Sequence, residues 1–175
     1  MADQDRVLVA AIEAEFRRYR SLGEGAIAQM HDHELGQAGP GGGSSVTIIV
    51  WHIGGNLTSR FTEFLTTDGE KPGRDRDSEF IDRQVSRGEL LAHWEKGWAI
   101  LFESLAALSD AHLKNEVTIR RQRYPVHEAL LRALAHISYH VGQIVYLAKS
   151  ARGSGWKTLS IPLGGSAAFN DKGLR

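Results

Sequence analysis

Cysteine is absent from the 175 residues, which removes disulfides, thiolate metal ligands and a protein-borne cysteine nucleophile together. Any thiol chemistry on this chain would need a thiol supplied by another molecule. Net charge is absent too: Lys plus Arg and Asp plus Glu each number 21, so nothing provides the strongly basic field on which most nucleic-acid binders rely. No uninterrupted apolar stretch approaches the ~20 residues of a bilayer span. Residues 1–16 mix acids with short apolar runs and lack a basic region followed by an apolar block, unlike a secretory leader. A soluble, cytoplasmic protein that uses neither nucleic acid nor membrane is therefore expected. At 42% apolar and 24% charged the composition is that of a globular protein, and the length suits a single domain over 1–175.

Hydrophobic periodicity then marks four long amphipathic segments. The first spans about residues 5–30, with Val7, Ala11, Ala14, Tyr19, Leu22, Ala26 and Met30 as its stripe and Gly23 and Gly25 as disturbances. The breaker cluster Gly39–Gly43 predicts a flexible loop and no P-loop, because Ser44-Ser45-Val46 follows where Gly-Lys-Ser/Thr is required. Ser44 or Ser45 can cap a second helix over about 45–67, whose apolar face is Val46, Ile49, Val50, Ile53, Leu57, Phe61 and Phe64. After the break at 68–73, the alternating Arg74-Asp75-Arg76-Asp77 reads as a solvated loop. A third helix over about 86–108 carries Leu90, Leu91, Trp94, Trp98, Leu101, Phe102 and Leu105, the two tryptophans reading as core. Residues 117–120 and 123–126 suit a short hairpin, and a fourth helix covers about 127–150. The tail, 156–175, is expected to pack irregularly. Four such segments without a long strand give an all-α fold, an antiparallel four-helix bundle.

On the fourth helix, Leu130, Leu134, Ile137, Val141 and Ile144 form the buried stripe, while His136, His140 and Gln143 line up about a quarter turn away. An i, i+4 histidine pair lets two imidazoles converge on one ion, or leaves each half-buried and hydrogen-bonded to a neighbour. The second helix repeats the pattern, with His52, Asn56, Ser59 and Glu63 beside its apolar face. Where the two lines meet, His52, His136 and His140 would give a three-nitrogen site with positions left open for water or substrate. Gly54, Gly55 and Gly142 beside them each cost a helix ~1 kcal/mol relative to Ala, which points to close packing or room for a ligand. Arg60 is expected to snorkel, to pair with Asp77 or Glu79, or to meet a substrate anion. Asn56 and Gln143 are candidates for orienting a substrate or a ligand imidazole. Glu63 lies two to three turns from His52, far for a general base. His31, His33, His93, His112 and His127 read as surface or loop histidines.

These residues together carry a resemblance. His52 with Gly54-Gly55-Asn56, Ser59-Arg60-Phe61 with 64–71, Arg74-x-Arg76-Asp77-x-Glu79-Phe80, His136-x3-His140-Val141-Gly142-Gln143-Ile144, and Leu159-Ser160-Ile161-Pro162 with Phe169-Asn170 resemble a bacterial family of unknown function in the DinB/YfiT-like superfamily. The likeness runs from about Phe16 to Asn170. It implies an antiparallel four-helix bundle, commonly a homodimer, with a divalent metal on three histidines, here His52, His136 and His140. Characterised relatives in the wider superfamily are transferases or isomerases that employ low-molecular-weight thiols. The expectation is a metal-dependent enzyme, a small-thiol transferase or a hydrolase, with zinc or nickel foremost and manganese or iron as further candidates. The rival is a non-catalytic metal-binding dimer, a stress protein or scaffold.

Overall fold

The computed structural model describes residues 4–171, so the last four positions of the expected irregular tail, and the first three of the chain, lie outside it. Helices dominate: α1 (Val7–Ile27), α2 (Asp32–Leu35), α3 (Val46–Phe61), α4 (Arg87–Ala106), α5 (Val126–Arg152) and α6 (Ser166–Asp171). The antiparallel hairpin β1 (Glu116–Ile119) and β2 (Gln122–Pro125) interrupts them between α4 and α5. No helix of the described residues is long and apolar enough to cross a membrane.

Local chemistry fixes the starts of the two central helices. Ser45 Oγ accepts from the Ile48 amide at 3.2 Å at the head of α3, and Ser86 and Glu89 close a reciprocal capping box at the head of α4. α5 stops at Gly153, whose φ of 51° an L side chain would resist. The expected flexible loop at Gly39–Gly43 is instead a closed turn, the Gly39 amide donating to the Gly43 carbonyl at 2.8 Å. The tail is not wholly irregular, since α6 forms in it.

α3 packs on α4 and on α5, and α1 packs on α5 and on α4. Phe16 of α1 stands edge-on to Phe61 of α3 and to Trp98 of α4, with centroids 6.5 and 6.4 Å away. Trp94 and Trp98 are core, as expected. Each of the fully buried Ile53, Leu57, Leu130 and Ile137 contributes ~1.5–3 kcal/mol of hydrophobic stabilisation. At the α3–α4 crossing, Gly54 and Gly97 meet so closely that a Cβ on Gly97 would lie 2.9 Å from the Gly54 Cα. Two corrections to the expected helices follow. α1 buries Val9, Phe16, Gly23, Ala26 and Ile27, whereas Val7, Ala11 and Ala14 of the expected stripe face solvent. α3 ends at Phe61, six residues short of the expected 67, and the chain turns away through Glu63 at φ 49°.

Candidate metal centre

The buried stripe of α5, with Ile137, Val141 and Ile144 almost inaccessible and Leu134 half-buried, docks the helix so that His136 and His140 face α3. Across from them stands His52, 3% exposed. The three rings converge through the same atom: His136 Nε2 lies 3.1 Å from His52 Nε2 and 3.1 Å from His140 Nε2. One ligand atom from each histidine falls within 4.8 Å of the other two. Two nitrogens held at ~2.0–2.1 Å by one tetrahedral zinc are ~3.3 Å apart, so the observed spacing fits a shared ion.

The outer nitrogens decide the tautomers. His52 Nδ1 donates to Glu79 Oε2 at 2.8 Å, and His140 Nδ1 donates to Gln143 Oε1 at 2.8 Å. With each Nδ1 protonated, the neutral rings of His52 and His140 present bare Nε2 lone pairs to His136. His136 Nε2 carries at most one proton, so that single proton cannot give both neighbours a full hydrogen bond. Burial, then the neighbouring imidazoles and Arg74 and Arg60, push His136 down to about 3. Burial likewise pushes His140 down to about 4, against the opposing hydrogen bond with Gln143. The arrangement is compatible with a bound metal ion.

The sign of the pH dependence follows. In the unfolded chain both imidazoles take up protons near pH 6.5, and in the folded metal-free protein only near 4 and 3. Between those limits the unfolded state binds more protons, so stability is fully present above 6.5 and falls as pH drops toward 3. The two rings together should account for a loss on the order of 3 kcal/mol, partial contact with water reducing the full effect. Urea unfolding with chelator at pH 7, 5 and 4 measures it; a pH slope unaltered by substituting both histidines with Asn would refute it.

Glu79, which the sequence places in the motif of the resemblance and gives no role beyond pairing with Arg60, is a residue of the site. It comes from the short 3-10 turn Asp77–Phe80 after α3, is 5% exposed, and fits against Gly55, where a Cβ would lie 2.8 Å from the carboxyl carbon. Arg74 holds its other side, with Nε to Oε1 and Nη2 to Oε2 both at 2.8 Å. Burial raises the Glu79 carboxyl, but the hydrogen bonds and charges of Arg74 and His52 outweigh it and keep it below its usual value. Arg74 alone of the stretch expected to be solvated is drawn in, to a buried ion pair with Glu79, while Asp75, Arg76 and Asp77 are exposed.

The other expectations divide. Asn56 lines a cavity of about 180 Å³ beside His52 and His136, and Gln143 grips His140. Arg60 pairs with Glu70 at 3.1 Å and with the Gly69 carbonyl, not with Asp77 or Glu79. Glu63 is exposed beyond the end of α3 and takes no part. Ser59 is buried and donates to the Gly69 carbonyl at 2.8 Å, a structural duty. Gly54 serves close helix packing and Gly55 makes room for Glu79, whereas nothing approaches Gly142 within 4 Å. His93 is not a surface histidine: it stacks on Trp51 with centroids 4.0 Å apart and donates to the Trp51 carbonyl at 3.0 Å. His112 and His127 are tied to Ser109 and to the Leu113 carbonyl.

Among curated proteins and among solved structures nothing matches the chain. A family model does match, over residues 3–165, and its description is "Protein of unknown function (DUF1572)". A match of that extent shows the family: the chain belongs to DUF1572.

Proposed function

We propose that the protein is a cytoplasmic, metal-dependent enzyme of the DinB/YfiT-like superfamily. In this reading its four long helices make up an antiparallel four-helix bundle, and His52, His136 and His140 hold one divalent ion. The observation that carries it is the convergence of three Nε2 atoms, two of whose rings, His52 and His140, are turned inward by Glu79 and Gln143. Three imidazoles leave an ion its full charge and an open position, unlike the four ligands of a structural zinc. A divalent ion there supplies Lewis-acid chemistry, lowering the pKa of a coordinated water or thiol.

The chain's own residues supply orientation and shape. Glu79 and Gln143 fix two of the ligand rings, the carboxamide of Asn56 can hydrogen-bond a substrate, and Ile119, Ala129 and Ala133 give the cavity a partly apolar wall. We assign the reaction to transfer of a low-molecular-weight thiol or to hydrolysis. With no cysteine in the chain, the thiol would be a co-substrate. The reducing compartment, where small thiols stay free, suits that assignment. Zinc or nickel is the first choice for three imidazoles, ahead of manganese or iron. We further assign a homodimer, on the exposed Val7 and Leu8 of α1 and Leu91 of α4.

Elemental analysis of untagged protein should find about one divalent ion per chain. Light scattering of the same sample should give twice the chain mass at micromolar concentration. A panel of thiols with electrophiles and of hydrolysable esters and amides should then show turnover that chelator removes. A metal content near zero that zinc, nickel, manganese and iron all fail to restore sinks the proposal. Bound metal with no turnover across the panel leaves the non-catalytic dimer, a stress protein or scaffold, in its place.

A further inference from the structure

Five arginines, Arg60, Arg74, Arg76, Arg120 and Arg132, line the cavity that His52 and His136 also line, and no carboxylate lines it. They arrive from separate places: α3, the segment after it, the hairpin turn and α5. Among the described residues two carboxylates answer them at close range. Glu70 takes Arg60 at 3.1 Å and Arg120 at 2.9 Å, and Glu79 takes Arg74 while also holding His52. Asp77, 3.7 Å from Arg76, is 98% exposed and counts for little. Among the described residues Arg132 has only the Tyr124 hydroxyl, at 3.1 Å, and that residue's ring.

The turn that carries Arg120 is also held in an uncommon backbone. Arg120 and Arg121 have φ of 52° and 64°, and their amides are tied to the Asp68 carboxylate at 2.9 and 2.8 Å. Two residues in the left-handed region are what a tight hairpin turn demands, and neither is the glycine that fits it most easily. Arg74 adds the sharpest sign. Its side chain is 6% exposed, and its Nη1 makes no hydrogen bond, the nearest carboxylate oxygen, on Glu70, lying 3.7 Å away. A buried donor without a partner is costly, and a charged one more so.

We propose that this cavity binds an oxyanion, the carboxylate or phosphate group of a small-molecule substrate, among Arg74, Arg120 and Arg132. Guanidinium forks match both groups, and several at once give orientation as well as attraction. The volume, about 180 Å³, compares with the ~150 Å³ of an engineered cavity that holds benzene, so a three- or four-carbon acid fits. The anion then sits beside His52 and His136, two of the three clustered histidines. That the oxyanion belongs to a substrate rests on the metal-dependent reading above. Its binding does not, because the arginines and the cavity need no metal.

Calorimetric titration with malonate and with inorganic phosphate, in chelator-treated and in metal-loaded protein at ionic strength matched with chloride, separates the two claims. One anion per chain should bind saturably in the chelated protein, malonate ahead for a carboxylate substrate and phosphate ahead for a phosphorylated one. Arg132→Ala and Arg120→Ala remove exposed side chains and should each weaken binding about tenfold or more with the unfolding temperature unchanged. Absence of binding by either anion up to about 10 mM, or binding that both substitutions leave intact, overturns the proposal. Anion binding in a protein that never takes up metal would instead refute the enzyme reading and leave this site standing.

Discussion

His140→Ala is expected to abolish metal binding while leaving the protein folded, its stability in the presence of metal falling by ~3–4 kcal/mol if the free ion stands at 100–1,000 times its dissociation constant. The fall should come almost wholly from lost ligand linkage. The Leu130, Ile137, Val141 and Ile144 stripe that docks α5 is untouched, and the substitution removes one of the rings whose lone pairs crowd the metal-free centre. In chelator, wild type and variant should therefore converge to within about 1–2 kcal/mol, the cost of a partly collapsed cavity. Thermal and urea unfolding of both proteins, with zinc and with chelator, reads this directly. Should chelation unfold the wild type outright, the ion is structural and the catalytic reading loses its basis. Undiminished metal content in the variant would show that the three histidines are not the ligand set.

The histidine set was legible because its signal is local: spacing of four on α5 and a polar line beside the apolar face of α3 follow from helical periodicity alone. Trp94, Trp98 and the hairpin were legible for the same reason. The α1 stripe was misjudged where the sequence is apolar on every side. Val7, Leu8, Val9, Ala10, Ala11 and Ile12 run together, so periodicity selects no face, and the choice of Val9 and Phe16 is made by the helices they meet. Glu63 fits the polar line only while α3 continues, and the chain leaves the helix at Thr62. The expected partners of Arg60 differ from the observed Glu70 because six carboxylates, Glu63, Asp68, Glu70, Asp75, Asp77 and Glu79, follow it and only the path of the loop chooses between them.

The charged segment after α3 divides: Asp75, Arg76 and Asp77 are exposed, as a solvated loop requires, and Arg74 is not. Alternating Arg and Asp is the ordinary mark of a wetted loop, yet Arg74 and Glu79 are each 6% exposed in their side chains. The signal that stood in the sequence was steric: two adjacent glycines, Gly54 and Gly55, inside a helix. Gly54 is spent on the approach of α4, and Gly55 leaves the space that Glu79 enters. A glycine pair in a helix beside a candidate ligand thus marked where a distant carboxylate would arrive, but not which one.

Disturbing that carboxylate should cost metal affinity more than fold. Glu79→Gln keeps an acceptor for His52 Nδ1–H but removes the negative charge behind the ring, and a partner of that kind is typically worth 10–100-fold in metal affinity. It also leaves the buried Arg74 guanidinium uncompensated, for which a loss of ~3–5 kcal/mol in stability is expected. Gly55→Ala separates the two effects, since it keeps every charge and instead pushes the carboxyl group away from its seat, where a Cβ would lie 2.8 Å from the carboxyl carbon. Competition titration against a chelator of known affinity, alongside urea unfolding of the metal-free proteins, should show both variants binding metal at least about tenfold more weakly than wild type. The stability loss in Gly55→Ala should be the smaller, because the Arg74–Glu79 pair can move together. If Glu79→Gln unfolds more easily yet the folded protein binds metal as tightly as wild type, Glu79 is an ion-pair partner for Arg74 and nothing more, and the orientation of His52 must come from elsewhere.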